Sequence, residues 1–168
     1  MAHLEFCSNC GNKNIHGWKE GNLRYHCENC DTVHYENPKP TATLICPQGD
    51  NILLVKRAFS PGKGLWGLPG GFVELNETPE IAAERELLEK TGLIGTVSRF
   101  IVHCSHFGSM FGDVLLLGLE MNITDFSNLT PMDDAEEAEF FLLDNLPDLA
   151  FDCHTKIVNM YRKMLTAI

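Results

Sequence analysis

The sequence predicts an α/β/α sandwich with a mixed sheet, preceded by a small metal-binding module. Short apolar segments typical of strands lie on both sides of one helical segment, and a second helical segment comes late in the chain. The first 36 residues differ from the rest, because they are polar and contain two C-x-x-C pairs. We therefore expect a zinc-ribbon-sized module over residues 1–36 and an α/β domain over residues 37–168.

The composition limits the classes of partner. Of the 168 residues, 44% are hydrophobic, which is ordinary for a soluble globular protein. The net charge of −10 disfavours a nucleic-acid duplex or an anionic membrane as partner, since both bind clustered basic residues. A small phosphorylated substrate held through a metal remains compatible with this charge. We see no signal peptide and no apolar run of transmembrane length, so we expect a cytoplasmic protein.

Four of the seven cysteines form two knuckles, Cys7-x-x-Cys10 and Cys27-x-x-Cys30, separated by sixteen residues. Four thiolates complete the tetrahedral shell of Zn²⁺ without an open position, which is typical of a structural site. The spacing predicts a zinc ribbon, and the ion should supply the stability that so short and polar a module lacks. A redox-active pair is the weaker alternative, because there are two pairs and no thioredoxin-like context. A module that docks a protein partner is a further alternative.

The elements after the module can be taken in order. Residues 35–40 contain two prolines and predict an extended linker. Residues 61–72 are rich in glycine, which lets backbone approach a ligand closely. Residues 122–135 are polar and predict a loop. The apolar patterns predict one late helix at residues 154–166. They predict five strands, at residues 41–46, 52–57, 96–104, 114–121 and 139–143.

The central helix has clear start and stop signals. Thr78 is a good N-cap, Pro79 is tolerated in the first turn, and Gly92 is placed to end the helix. Within it, Ile81, Leu87 and Leu88 predict the apolar stripe, while Glu86, Glu89 and Lys90 share another face. Two carboxylates one turn apart can hold one hard cation. The alternative is a solvated charged face with an ion pair between Glu86 and Lys90.

A longer pattern surrounds this helix. Eight of nine defined positions match G-x5-E-x7-R-E-U-x-E-E-x-G-U, where U is aliphatic. The matching residues are Gly71, Glu77, Arg85, Glu86, Leu87, Glu89, Gly92 and Leu93. The pattern resembles the Nudix box, and residues 65–71 also resemble the segment that usually precedes it. The resemblance implies the α/β/α fold of that family and hydrolysis of a nucleoside diphosphate linked to another moiety.

The resemblance also implies a metal site. Glu86 and Glu89 would bind Mg²⁺ or Mn²⁺ with help from the backbone carbonyl of Gly70. Arg85 would hold Glu77 or Glu89 in its working rotamer. Divalent ions would neutralise the diphosphate and acidify the attacking water.

Lys90 departs from the box, which has a glutamate at this position. A protonated lysine cannot bind a metal. Three alternatives follow. The site binds fewer metals and turns over more slowly, a loop acid compensates, or the domain binds its nucleotide without cleaving it. The candidate loop acids are Asp134, Glu136 and Glu137. If a ligand position is vacant, Lys90→Glu should raise hydrolysis by about an order of magnitude or more.

A zinc ribbon followed by a Nudix domain resembles the NADH pyrophosphatase branch and its ADP-ribose and FAD pyrophosphatase relatives. Residues 104–111 lack the S-Q-P-W-P-F-P signature of the NADH enzymes, so the resemblance favours ADP-ribose or FAD and release of AMP. Candidate substrate contacts are Trp66, Phe72 and Phe107 for stacking and Arg57 for phosphate. A homodimer is plausible by the same resemblance. The competing function is an inactive domain that senses ADP-ribose-like nucleotides.

Overall fold

The computed structural model describes residues 4–167, and the chain divides into two compact units with a boundary between Asn37 and Pro38. The first unit contains an antiparallel sheet of β1 (Ile15–Lys19), β2 (Asn22–His26) and β3 (Val33–His34), with β2 in the centre. Glu20 and Gly21 join β1 to β2, and both have positive φ angles (52° and 78°). This is the backbone of the two-residue turn that matches the twist of a hairpin.

The second unit carries the α/β domain. Its described elements are β4 (Lys39–Ile45), β5 (Pro47–Gln48), β6 (Asn51–Arg57), β7 (Trp66–Gly67), β8 (Gly70–Phe72), α1 (Pro79–Thr91), β9 (Thr96–Ser109), β10 (Gly112–Asn122), β11 (Ala135–Leu142) and α2 (Asp152–Thr166). Neither helix of this part of the chain is long and apolar enough to cross a membrane.

The strands form two sheets. One has the order β8-β4-β10-β9, in which β4 and β10 are parallel and the other pairs antiparallel. The other has the order β11-β6-β5, with β7 also paired to β6, and all its pairs are antiparallel. The prediction of mixed strand directions is therefore confirmed.

Two apolar clusters lie on opposite faces of the strands. Successive side chains of a strand point to opposite faces, and β6 shows the result: Leu53 belongs to one cluster, while Ile52 and Leu54 belong to the other. Helix α1 contributes Leu87 to the first cluster, and α2 contributes Ile157 to the second. The strands thus lie between the two helices, which is the predicted α/β/α sandwich.

The ends of α1 are those the sequence predicts. The hydroxyl of Thr78 accepts a hydrogen bond from the backbone N–H of Ile81 at 3.3 Å. Gly92 adopts a left-handed conformation with φ at 69°, and its N–H donates to the carbonyl of Leu88. A residue with a side chain is strained in that conformation, so glycine ends the helix here.

Two of the three residues predicted for the apolar stripe of α1 are not buried. Ile81 and Leu88 are about half exposed, at 52% and 47%, and only Leu87 of the expected apolar stripe is buried. The small Ala82 and Ala83 pack with Leu87 against the strands instead, since short side chains let the helix approach closely. Glu86 and Lys90 share this buried side, so the charged face is not solvated at these two residues, but the ion pair expected between them is present at 3.6 Å.

The strands and α2 are longer than predicted. Strand β9 extends five residues past the predicted end at residue 104, and β10 begins at Gly112, so a tight hairpin turn joins the two strands. Strand β11 begins at Ala135 rather than residue 139, and α2 begins at Asp152 rather than 154. Strand pairing extends β9 and β11 into regions where the apolar alternation is weak.

Candidate active site

The four knuckle cysteines come together in the first unit. Their sulfurs all lie within 4.8 Å of one another. The Sγ atoms of Cys7 and Cys30 are 3.7 Å apart, and those of Cys10 and Cys27 are 3.5 Å apart. Zn–S bonds of about 2.3 Å in a tetrahedron place sulfurs about 3.8 Å apart, so the cluster has the dimensions of a zinc site.

Asparagine amides surround these sulfurs. Asn12 and Asn29 donate side-chain N–H groups to Sγ of Cys10, and Asn9 donates to Sγ of Cys30. The hydrogen bond from Asn12 lowers the pKa of Cys10 to about 6. Burial raises the pKa of Cys27 to about 11, a penalty that a bound dication would remove.

In the second unit, the carboxylate of Glu86 lies directly against the backbone of Gly71. Glu86 is 5% exposed. A Cβ atom added to Gly71 would lie 2.3 Å from Oε1 of Glu86, so only glycine leaves room for the carboxylate. Oε1 accepts a hydrogen bond from Arg85, whereas Oε2 is buried without any hydrogen-bond donor.

Arg85 organises the glutamates of the box. It donates to both oxygens of Glu77, at 2.7 and 2.9 Å, and to the carbonyl of Phe72 at 2.9 Å. Its Nη1 donates to Glu86 at 2.7 Å and to Glu89 at 3.0 Å. The guanidinium hydrogen bonds lower the pKa of Glu77 to about 2, so this carboxylate stays ionised at neutral pH. Arg85 therefore contacts both Glu77 and Glu89, the two alternatives that the sequence left open.

Lys90 is buried among carboxylates and is only 9% exposed. Its Nζ lies 2.5 Å from Asp133, 2.9 Å from Asp134 and 3.6 Å from Oε2 of Glu86. Burial by itself lowers the pKa of Lys90, but the hydrogen bonds that its ammonium donates to Asp133 and Asp134 and the charge of Glu86 outweigh it. The pKa of Lys90 is therefore raised, and the side chain is an ammonium.

The loop before β11 is attached to the end of α1. The N–H groups of Thr130 and Met132 donate to the carbonyls of Thr91 and Lys90, at 2.9 and 3.1 Å. These bonds satisfy carbonyls that the last turn of a helix leaves without partners. Asp133 follows with a positive φ of 53°. The loop thereby presents two carboxylates to the Lys90 ammonium.

The structure separates the candidate loop acids. Asp134 lies in the group around Lys90. Glu137 pairs with Lys56 at 2.8 Å, and Glu136 is exposed, so neither contacts Lys90 or Glu86. Asp133 was not among the predicted loop acids, although its position next to Asp134 in a polar loop could have indicated it.

A cavity of about 430 Å³ opens beside these groups. Glu74, Glu86, Lys90 and Asp134 contribute to its lining, together with Gly70 and Gly71. This volume is within the range of small-molecule sites, about 300–1,000 Å³.

A second group in the lining is aromatic and cationic. The Arg57 guanidinium lies 5.1 Å from the ring centre of Phe151, and the Phe151 and His154 rings are 5.3 Å apart. Nδ1 of His154 accepts the backbone N–H of Leu68 at 3.0 Å, which places the ring proton on Nε2. Burial, with help from the charges of Arg57 and His106, lowers the pKa of His154 to about 4, so the ring is neutral.

The predicted substrate contacts are divided. Arg57 and Phe72 line the cavity, and the Phe72 ring packs edge-to-face on Phe111 at 5.4 Å. Trp66 does not line it and packs on Phe141 at 4.8 Å. Phe107 is 73% exposed and also lies outside the lining. His154, at the start of α2, was not predicted as a site residue, because its contact with Leu68 joins segments that are far apart in the sequence.

The residues at the cavity fit a hard divalent cation. A buried carboxylate oxygen without a hydrogen-bond donor is costly unless a cation or a donor meets it, and Oε2 of Glu86 is such an atom. Glu89 is about half exposed, and its Oε2 is bound to Arg85. Within residues 4–167, only the four cysteines form a group of three or more side chains whose ligand atoms could hold one ion. The further oxygens around a cation at Glu86 would therefore come from backbone carbonyls, from water or from a carboxylate that changes its rotamer, and Mg²⁺ usually keeps several waters.

Comparisons with known proteins agree with this geometry. Residues 38–161 match the model of the NUDIX domain, and residues 5–36 match the zinc ribbon described as Nudix N-terminal. The chain is 42% identical over 130 residues to an ADP-ribose pyrophosphatase of Methanocaldococcus jannaschii, covering 77% of this chain and 76% of the relative. It is 29% identical over 151 residues to the NAD-capped RNA hydrolase NudC of Vibrio cholerae, covering 88% of this chain and 52% of the relative.

The chain thus spans about half the length of that NudC relative. Among solved structures, a NUDIX hydrolase from Nitrosomonas europaea has a TM-score of 0.78 and 30% identity, covering 96% of this chain and 93% of that one. A match over most of the α/β domain, the separate match of the ribbon and the Arg85-centred glutamates lead to one conclusion. This chain belongs to the Nudix hydrolase family and carries that family's N-terminal zinc ribbon.

Proposed function

We propose that this protein hydrolyses the diphosphate bond of ADP-ribose or FAD in a Mg²⁺- or Mn²⁺-dependent reaction that releases AMP. The observation that carries the proposal is the Glu86 carboxylate, which is buried beside Gly71 with one oxygen lacking a donor and which lines a cavity of about 430 Å³. This arrangement suits a hard cation and a small diphosphate ligand together.

Glu86, Glu89 and the backbone carbonyl of Gly70 would hold the divalent ion. When bound, such an ion neutralises phosphate oxygens and lowers the pKa of the attacking water. Glu86 enters this role with its position already fixed by Gly71 and Arg85. Glu89 is held by the same guanidinium at 3.0 Å, and its side chain is about half exposed.

The remaining lining would bind and orient the nucleotide. Arg57 offers a fixed positive charge for a phosphate, and the edge-to-face pair of Phe72 and Phe111 offers an apolar surface for a base or a ribose. Nε2–H of His154 is a donor at neutral pH, because its pKa is lowered to about 4. These groups favour a ligand with a diphosphate, hydroxyl groups and a ring.

Relatives with two activities bear on the substrate. The Methanocaldococcus jannaschii relative is named for ADP-ribose, and the Vibrio cholerae relative is named for NAD-capped RNA. The relative named for ADP-ribose has the higher identity and matches along most of its own length. Residues 104–111 also lack the signature of the NADH enzymes, and the net charge of −10 disfavours RNA. We therefore place ADP-ribose and FAD before NADH and NAD-capped RNA.

A substrate panel tests the proposal. The full chain is incubated with ADP-ribose, FAD, NADH and an NAD-capped RNA, with Mg²⁺ or Mn²⁺, and AMP release is followed by chromatography. We expect AMP from ADP-ribose or FAD and a loss of about a hundredfold or more in Glu86→Gln. Glu136→Gln is the matched control, because Glu136 is an exposed acid outside the cavity. Binding of ADP-ribose without products would contradict hydrolysis and favour a sensor.

The proposal includes a homodimer and a cytoplasmic location. The dimer rests on the family resemblance, and the location rests on thiolates that must stay reduced to hold Zn²⁺. Light scattering coupled to size-exclusion chromatography tests the first, and a mass of one chain, 18.8 kDa, contradicts it. Cell fractionation tests the second.

A further inference from the structure

We propose that Lys90 is a built-in cation of the site: its ammonium occupies the place between Glu86, Asp133 and Asp134 that would otherwise take a divalent ion. The inference rests on the proposed metal-dependent function and deepens it, because it states how many divalent ions the cavity takes. It predicts that the native chain binds one fewer divalent ion there than a variant with a neutral residue 90.

The first reason is the convergence of carboxylates. Three acids from two segments of the chain meet at the Lys90 Nζ, at 2.5, 2.9 and 3.6 Å. Three carboxylates in a partly buried place repel one another unless a cation lies among them. Such a set of oxygens is also what Mg²⁺ and Mn²⁺ prefer.

The second reason is the state of Glu86. One of its oxygens is bound by Arg85, while Oε2 has no hydrogen-bond donor and faces the Lys90 ammonium at 3.6 Å. That separation is an ion pair without a hydrogen bond. Oε2 therefore keeps its capacity to bind a divalent ion beside the ammonium, and Lys90 leaves one cation position at Glu86 rather than two.

The third reason is burial. Lys90 is 9% exposed, so its charge is poorly screened by water, and it lines the same cavity as Glu86 and Asp134. A compact ammonium in such a place acts as a fixed point charge toward a phosphate. It can stabilise diphosphate charge as a second divalent ion would, with one unit of charge instead of two.

The test counts bound ions without substrate. Equilibrium dialysis with Mn²⁺ is carried out on the full chain, with zinc measured separately by mass spectrometry. The variants are Lys90→Gln and Lys90→Met. Methionine keeps an apolar stem like that of lysine, so Lys90→Met serves as the neutral variant if Lys90→Gln does not fold. We expect about one additional Mn²⁺ per chain in the neutral variants, and no addition in Lys90→Arg, which keeps the charge.

Two further variants make the count specific. Lys56→Gln is the matched control, since it removes the ammonium that pairs with Glu137 outside the cavity. It should bind as many Mn²⁺ ions as the native chain. Lys90→Gln combined with Asp133→Asn and Asp134→Asn should lose the additional ion. A folded neutral variant with the native number and affinity of Mn²⁺ ions would overturn the inference.

The measurement is independent of catalysis. A native chain that releases no AMP from any substrate contradicts the proposed function, yet the Mn²⁺ counts still decide the role of Lys90. If the native chain is active but neither neutral variant binds an additional ion, only the role of Lys90 as a built-in cation is contradicted.

Discussion

The carboxylate of Glu86 occupies the space that a side chain on Gly71 would need, since a Cβ atom there would lie 2.3 Å from Oε1. The atoms in conflict belong to the far end of a flexible side chain. Gly71→Ala should therefore displace the carboxylate while leaving the fold intact. We expect kcat/KM for ADP-ribose to fall by about a hundredfold, as for a reacting geometry misplaced by about 1 Å.

Steady-state kinetics and thermal unfolding measure this prediction together. Gly17→Ala is the control, because a Cβ atom there meets its nearest neighbour, in His26, at an ordinary 3.4 Å. Native activity in Gly71→Ala would show that Glu86 does not need its present position.

Arg85 should be irreplaceable by lysine. The guanidinium makes a forked contact with Glu77 and also reaches Glu86 and Glu89, whereas an ammonium has no such fork. We expect Arg85→Lys to lose about 10–100-fold in Mn²⁺ affinity or in activity, the usual cost of removing a group that orients a metal ligand. Titration of activity and of tryptophan fluorescence with Mn²⁺ measures both.

Arg99→Lys is the matched control for Arg85→Lys. Arg99 also makes two contacts with one carboxylate, that of Glu120, at 2.8 and 2.7 Å. It does not line the cavity. Equal losses in the two variants would mean that Arg85 acts through the general stability of the fold.

Lys90→Glu tests for a vacant ligand position by replacing the ammonium with a carboxylate rather than with a neutral group. It would place a fourth carboxylate beside Glu86, Asp133 and Asp134. We expect a lower melting temperature without metal, recovery on adding Mn²⁺, and hydrolysis raised by about an order of magnitude at saturating Mn²⁺. Differential scanning calorimetry with and without Mn²⁺ and the AMP assay measure these effects; an unchanged or lower rate counts against a vacancy.

His154 should stay neutral in the folded protein down to about pH 4, where its lowered pKa lies. In the unfolded chain it should titrate near 6.5, so the unfolded state binds more protons between these values. Its contribution to the free energy of unfolding is complete above about pH 6.5 and is lost as the pH falls to about 4. Proton NMR of the ring measures the pKa, and Nδ1 should be the unprotonated nitrogen.

A variant isolates this dependence on pH. His154→Gln should flatten the loss of unfolding free energy between about pH 6.5 and 4, whereas His16→Gln in the ribbon should not. A His154 ring that titrates near 6.5 in the folded protein would contradict the burial argument.

Loss of zinc should unfold the ribbon. Residues 4–37 form a short sheet with little apolar core beyond Cys7 and Cys27, so most of their stability should come from the ion. We expect Cys27→Ser to release zinc and to raise hydrogen exchange throughout this segment. Mass spectrometry of exchanged peptides measures it, with Cys46→Ser as the control, because Cys46 lies in the α/β core. Native protection in Cys27→Ser would contradict a structural zinc.

The local features of this protein could be predicted from its residues alone. The ends of α1 follow from Thr78 and Gly92, whose backbone preferences do not depend on distant residues. The knuckle spacing predicted the four-cysteine site, since each tight turn brings two sulfurs together and two such pairs complete a tetrahedral shell. The resemblance to the Nudix box identified Arg85 and Glu86 as candidate site residues, since both stand at defined positions of that pattern.

Packing between distant segments sets which side of α1 is buried and which groups surround Lys90. Periodicity placed Ile81 and Leu88 inside, yet the close approach of the strands favours alanine there and leaves both exposed. Asp133 reaches Lys90 across 43 positions of sequence because the loop before β11 binds the end of α1. Charges brought together in this way depend on packing, so the chain order alone could mark Lys90 as unusual but could not show its partners.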